Sequence, residues 1–479
     1  MITTREVLDS AQNTVFLLSD KEGLSSIGLT GDELHYLTDK LDGKTRYIEI
    51  NRYQYRWYFI YLESGESNIL KEKARLAASK LFKKLKAEKI TSVQVKALKE
   101  IDSPDVVLAF AEGLYLSSYQ FLKYDSTRDE KSFLLENISL ISNEIDDEEI
   151  THINNVVSGV FIARNLINEP VSYLTAEKLA EEASLWAKET GFNIEVFHKE
   201  KIESLRMGGL LGVNRGSIDP PTFSILEWNP EDAMNDKPVV LVGKGVVYDT
   251  GGLSLKPTSN SMDYMKSDMA GAAAVIGTLG VLALSKVPVH VIGLVPATDN
   301  RPDGNAYTPG DVLTMFNGKT VEVMNTDAEG RLILADAISY ASRYEPEMIL
   351  SIATLTGSAA MAIGKQGIVA MGNVPEEKFK TLSKTGYNVY ERIVQFPFWD
   401  EYAEDLKSSI ADMKNLGGRE GGAITAGKFL EKFAEYPFMH LDIAGVAYLK
   451  TGQDYRGAGG TGAGVRLLVE FLKSYTEQK

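Results

Sequence analysis

Residues 325–332 read NTDAEGRL, which sets Asp327 and Glu329 two positions apart and follows them with the guanidinium of Arg331. The stretch lies where a β-rich run, residues 320–324 (TVEVM), gives way to a helical pattern starting near Arg331. In an extended segment, side chains at i and i+2 share a face. Both acids are therefore expected to aim at one point outside the carboxyl end of a strand, where open α/β sheets bind ligands. Carboxylates converging in this way are hard oxygen donors, and the chemistry they suit is divalent-metal binding.

A second group precedes the first. Lys244, Asp249, Lys256 and Asp268 lie within residues 242–275, VGKGVVYDTGGLSLKPTSNSMDYMKSDMAGAAAV. Lys244 follows the apolar run VVLVG, Asp249 lies in the turn before Gly251 and Gly252, and Asp268 precedes a helix of small residues. Oxygen ligands from several element ends could hold two divalent ions close together, an arrangement that polarises a carbonyl and activates water at neutral pH. From these spacings alone, a capped helix start at 327–331 with surface lysines explains the residues equally well.

The elements that would position these groups fall into two parts. Near the N-terminus, residues 14–18 and 57–62 read as strands, 70–89 as a lysine-rich helix and 91–98 as a further strand. Ser103 and Pro104 make a suitable N-cap and first-turn pair for a helix reaching about residue 116. Residues 124–150 turn polar and acidic and end in EIDDEEI, marking a boundary. A helix over 152–169, stopped by Pro170, connects the parts. Beyond it, near-continuous apolar strands at 238–243, 289–295, 321–324 and 348–353 alternate with helices such as 271–284. Strands apolar on both faces indicate a mostly parallel sheet covered by helices on both sides. The expected fold is thus α/β: an N-terminal domain at 1–150, a connecting helix at 151–170 and a larger catalytic domain at 171–479.

Composition narrows the chemistry. With 479 residues the chain is long enough for two or three domains, each with its own core. The absence of cysteine rules out disulfides, thiolate nucleophiles and thiolate metal sites. None of the five histidines pairs with another at the i, i+4 spacing of the common zinc-hydrolase signature. Carboxylates must therefore carry any metal. A net charge of −15 argues against nucleic acid or anionic membrane as partners. The first residues lack the apolar core of a secretory signal, and the uncharged runs at 269–285 and 348–364 fall short of a membrane span. The expectation is a soluble, cytoplasmic protein.

These segments together resemble the leucyl aminopeptidase family of cytosolic dimetal exopeptidases, whose signature is NTDAEGRL. The resemblance extends to IARNLINEPVSYLTAEKLAEEA (162–183), MGGLLGVNRGS (207–217), the cluster at 244–270, YTPGDVLTMFNGKTVEVMNTDAEGRLILADA (307–337), ATLTGSAAMAIG (353–364) and HLDIAG (440–445). It covers almost the whole catalytic part. The N-terminal part matches weakly, chiefly through GLYLSSYQFLKY (113–124).

What the resemblance implies is specific. Lys244, Asp249, Asp268 and Glu329 would bind one metal and Asp249, Asp327 and Glu329 the other, with Mn2+ or Zn2+ as the ions. Lys256 and Arg331 would be catalytic, the lysine polarising the substrate carbonyl and the arginine holding a bicarbonate that acts as general base. Met265, Thr354, Gly357 and Ala444 would line an apolar pocket for a leucine-like side chain, with the Leu355 carbonyl near the substrate. The free α-amine of a peptide would bind a metal beside Asp268, and the assembly would be a homohexamer. The N-terminal domain would serve assembly and access to the site. Two departures stand out: the loop at 257–267 is one residue longer than usual, and Asp299 and Arg301 replace the family's common residues in ATDNRPDG (297–304). Two rival readings remain, a dimetal phosphoesterase, since such sites also serve phosphates, and a non-catalytic interaction protein with a vestigial site. His440 and Asp336 read as structural, and the glycine-rich loop at 417–422 lacks the context of a phosphate-binding loop.

Overall fold

The computed structural model describes residues 1–98, 101 and 103–476. It divides into two compact units, Met1–Val157 with Gly452–Gly457, and Ser158–Thr451 with Ala458–Lys479. The division falls inside one helix, Asp147–Asn168, which begins within the acidic run taken as a boundary and ends just before Pro170.

In the first unit a six-stranded sheet runs in the order Ile2–Arg5, Asn137–Ile141, Ser92–Ala97, Thr14–Leu18, Arg56–Tyr61, Tyr47–Asn51. Only the last pairing is antiparallel. Helices Ser67–Ala87 and Pro104–Ser117 cross so closely that a Cβ on Gly113 would lie 2.5 Å from Arg75 Cα. Ser103 takes the expected N-cap position but makes no capping hydrogen bond, so Pro104, with its fixed φ, is what marks the helix start.

The second unit is built on a nine-stranded sheet. Its central strands are Phe438–Asp442, Met348–Ala353, Val239–Gly243 and Val291–Asn300, joined by parallel pairings. Strand Gly245–Asp249 continues along Val291–Asn300 after a break at Lys244. Thr222–Trp228 and Asn193–Phe197 add antiparallel pairings on one side. Adjacent residues of the strand Val291–Asn300 show how the sheet is covered. Ile292 and Leu294 share a core with Leu332, Ile333 and Ile338 of the helix Glu329–Ala341. A Cβ on Gly293, between them, would meet Val275 of the helix Ala270–Leu284 at 2.7 Å. Neighbouring strand residues face opposite sides, so the two helices cover opposite faces.

Two expectations change. The run at 320–324 does not join the central sheet: Thr320–Glu322 lies in a separate three-stranded sheet with Val312–Thr314 and Met413–Lys414. The segment Met262–Leu284 is long and apolar enough to cross a membrane by length and composition, contrary to the count of its uncharged run, and 94% of its most apolar window is buried within the protein.

Candidate metal centre

Each acid of the centre is delivered by an element end. Lys244 breaks the strand at the sheet's carboxyl edge, its N–H donating to Ile352 O at 3.1 Å and its carbonyl accepting from Ala272 N at 2.9 Å. This backbone pinning aims its side chain between the helices. Asp249 is the last residue of the strand Gly245–Asp249 rather than part of the turn after it. Its Oδ1 accepts from Gly251 N and Asn300 Nδ2, both at 2.8 Å. Gly251 has φ +85, and a Cβ there would sit 2.5 Å from Ser254 O, so the turn that returns the chain to Lys256 needs glycine. Asp268 lies two residues before the helix Ala270–Leu284, whose N-terminus favours a carboxylate. Glu329 is the first residue of the helix Glu329–Ala341, which starts two residues earlier than the sequence pattern suggests. The segment carrying Asp327 and Glu329 is therefore a turn and a helix start, not an extended strand.

Carboxylate oxygens of Asp249, Asp268 and Glu329 lie within 4.8 Å of one another, and all three residues are buried. Lys244 Nζ sits among them, 2.8 and 2.7 Å from the two Asp268 oxygens, 2.8 Å from Glu329 Oε1 and 3.0 Å from Thr354 O. Asp327 stands outside this trio. Lys256 links it to the centre, with Nζ 2.9 Å from Asp249 Oδ2 and 2.5 Å from Asp327 Oδ1.

The donor set fits divalent cations. Asp249, Asp268, Asp327 and Glu329 against Lys244 and Lys256 leave a surplus of two negative charges, and burying charge without compensation is strongly unfavourable. Glu329 Oε2 is buried with no hydrogen-bond partner. Asp268 Oδ2 and Asp327 Oδ1 also lack hydrogen-bond geometry although a lysine lies at ion-pair distance from each; we take them as charge-paired but directionally open. Burial, reinforced by Asp249 and Glu329, pushes Asp327 up to about 7. Burial likewise pushes Asp268 up. Burial opposes the Lys244 ammonium, but Asp268, Glu329 and Asp249 outweigh it and hold its pKa above the ordinary lysine value. Lys256 is raised for the same reason, by Asp249 first among the acids.

Arg331 is fully buried, with Nη1 donating to Asn415 O at 2.8 Å and Nε unpartnered. Burial lowers its pKa to about 10, which leaves it cationic at neutral pH. A buried guanidinium with an unused N–H at a helix N-terminus is suited to an anion.

The other predicted residues lie around this centre. Thr354 follows the strand Met348–Ala353 and donates its hydroxyl to Asp268 Oδ1 at 2.7 Å. Thr354, Leu355 and Ala444 are half-buried and Gly357 is exposed, as residues at a pocket mouth would be. Met265 is connected through Asp268, whose N–H donates to its carbonyl at 3.2 Å. His440 is buried, with Nδ1 2.8 Å from Ser351 Oγ. Asp336 accepts from Leu210 N at 2.9 Å and Phe316 N at 2.8 Å.

Four positioning residues escaped the sequence reading. Asn300 holds Asp249 and also donates to Thr326 O at 2.9 Å. Thr326 ties the two halves together, donating to Gly251 O at 2.7 Å and accepting from Ser254 N at 2.8 Å. Asn415 accepts from Met324 N and donates to Asn325 O, both at 2.8 Å, while its carbonyl holds Arg331. Thr326, Asn300 and Asp442 lie inside the NTDAEGRL, ATDNRPDG and HLDIAG segments without having been singled out there, and Asn415 lies in none of the quoted segments.

Comparison with known proteins identifies the family. The catalytic domain model of the cytosol aminopeptidase family matches residues 161–469, and the model of that family's N-terminal domain matches residues 64–128. A probable cytosol aminopeptidase of Chloroherpeton thalassium is 44% identical over 429 residues, covering 84% of this chain and 83% of the relative. Another, from Geobacter sp., is 40% identical over 413 residues, covering 85% and 84%. Among solved structures, the bottromycin maturation enzyme BotP in complex with Mn superposes with a TM-score of 0.85 at 28% identity, covering 97% of this chain and 99% of that one. The buried carboxylates thus sit in a catalytic domain matched over more than half of the sequence, and the chain belongs to the cytosol aminopeptidase family of metal-dependent peptidases.

Proposed function

We propose that the protein removes N-terminal residues, leucine-like ones foremost, from peptides, using two bridged divalent ions. The observation that carries this reading is the buried trio Asp249, Asp268 and Glu329 with an unpartnered Glu329 oxygen. Lys244, Asp249, Asp268 and Glu329 would hold one ion, and Asp249, Asp327 and Glu329 the other. Bound there, Mn2+ or Zn2+ would polarise the scissile carbonyl and lower the pKa of water.

The chain's own groups supply the rest. Lys244 has to give up its proton to act as a ligand, and two adjacent dications oppose the carboxylates that now retain it. Lys256, the more accessible of the two lysines, offers an ammonium to the negative charge that develops on the carbonyl oxygen. Arg331 would hold a bicarbonate as general base through its free Nε–H. Asp268 orients the substrate amine, which makes the reaction an exopeptidase one. Met265, Thr354, Gly357 and Ala444 would line the side-chain pocket, with the Leu355 carbonyl near the substrate. We read residues 1–150 as serving assembly and site access, 151–170 as the connecting helix and 171–479 as the catalytic domain. The name shared by the relatives supports a cytosolic location, and the family resemblance supports a homohexamer.

Reconstituting the purified protein with manganese or zinc, then comparing leucine anilide with phosphate-ester hydrolysis, tests the proposal. Anilide cleavage is expected. Phosphatase activity without it would favour the phosphoesterase reading, and failure to bind metal the non-catalytic one.

A further inference from the structure

Asp442 ends the strand Phe438–Asp442 and is fully buried at the carboxyl edge of the sheet, beside Ala353 of the neighbouring strand. Its Oδ1 accepts from Leu355 N at 3.2 Å and from Ala444 N at 3.1 Å. Its Oδ2 accepts from Thr356 Oγ1 at 2.7 Å, and that hydroxyl accepts in turn from Ala359 N at 3.1 Å, capping the helix Gly357–Ile363. One carboxylate therefore binds segments that leave two adjacent strands. The segment 354–356 is pinned from both sides, since the Thr354 hydroxyl donates to Asp268 and its carbonyl accepts from Lys244 while the next two residues donate to Asp442.

We propose that Asp442 is a positioning residue for substrate selection, fixing Leu355 and Ala444 relative to each other and both relative to the metal centre. This rests on the proposed function, in which Ala444 lines the side-chain pocket and the Leu355 carbonyl lies near the substrate. Acceptor strength matters here: a carboxylate satisfies three donors on two oxygens, whereas an amide of the same shape turns one acceptor into a donor. Walls that shift change the fit of the leucine side chain more directly than the position of the scissile bond, so discrimination between side chains falls first.

The test compares leucine and alanine anilides on the metal-loaded, full-length protein. For Asp442→Asn, KM for the leucine substrate is expected to rise about tenfold with kcat changed less than about threefold, and the leucine-over-alanine ratio of kcat/KM to fall about tenfold, with metal content unchanged. Thr356→Val removes only the hydroxyl link and is expected to shift the ratio the same way by a smaller factor; Thr356→Ser restores it. If Asp442→Asn does not fold, the Thr356 pair decides alone. Equal losses on both substrates, or an unchanged ratio, would overturn the assignment while leaving the aminopeptidase reading intact. No anilide turnover by the wild-type protein would overturn both.

Discussion

Gly330 faces the Lys244 side chain so closely that a Cβ built on it would lie 2.4 Å from Lys244 Cε and 2.7 Å from Nζ. The obstructed atoms are the far end of a flexible chain, so the fold can yield and Lys244 cannot stay among its carboxylates. Gly330→Ala is therefore expected to lower turnover about 100-fold, with weaker metal retention, and to cost stability only through the carboxylates that lose their lysine. Gly271→Ala is the contrast. Its Cβ would meet the Ile352 carbonyl oxygen at 2.0 Å, and backbone cannot swing aside, so this variant should lose stability. Denaturation and anilide assays on the two variants separate the cases.

Asn300 is the amide that orients Asp249, and it is fully buried. Groups holding a metal ligand typically account for about 10- to 100-fold in metal affinity. Asn300→Ala is expected to weaken metal binding by that factor, read by titrating the chelated protein with manganese. Wild-type affinity would show that Asp249 is oriented by its strand and by Gly251 alone.

His440 gives a pH signature. Burial, and after it the charge of Arg331, lowers its pKa from 6.5 to about 3. The folded state thus binds this proton more weakly than the unfolded state. The contribution to stability is present above 6.5 and is lost as pH falls towards 3, amounting to about 2 kcal/mol between pH 7 and pH 5. Chemical denaturation of wild type and His440→Gln at both pH values should show a steeper loss for wild type. Parallel slopes would mean that His440 takes up its proton in the folded protein as readily as in the unfolded chain.

The sequence made Lys244, Asp249 and Asp268 legible because each ends an apolar run or opens a small-residue helix, and those ends meet at one edge of a parallel sheet. It misjudged how Asp327 and Glu329 converge. Alternation along a strand does not apply to them, since Glu329 already belongs to a helix and Asp327 reaches the centre through Lys256. Asn300 and Asn415 could not be read at all: the former acts on a residue 51 positions away and the latter on one 84 positions away. Only the register of strand Gly245–Asp249 against Val291–Asn300, and of Thr320–Glu322 against Met413–Lys414, brings those amides to their partners.

The account turns on two ions shared by Asp249 and Glu329. Counting bound metal per chain after manganese reconstitution, alongside leucine anilide turnover, tests it most directly in wild type, Lys256→Ala and Glu329→Ala. The expected result is two ions and turnover for wild type, two ions without turnover for Lys256→Ala, and loss of both metal and turnover for Glu329→Ala. Full metal content in Glu329→Ala, or turnover by a wild-type protein that binds no metal, would contradict it.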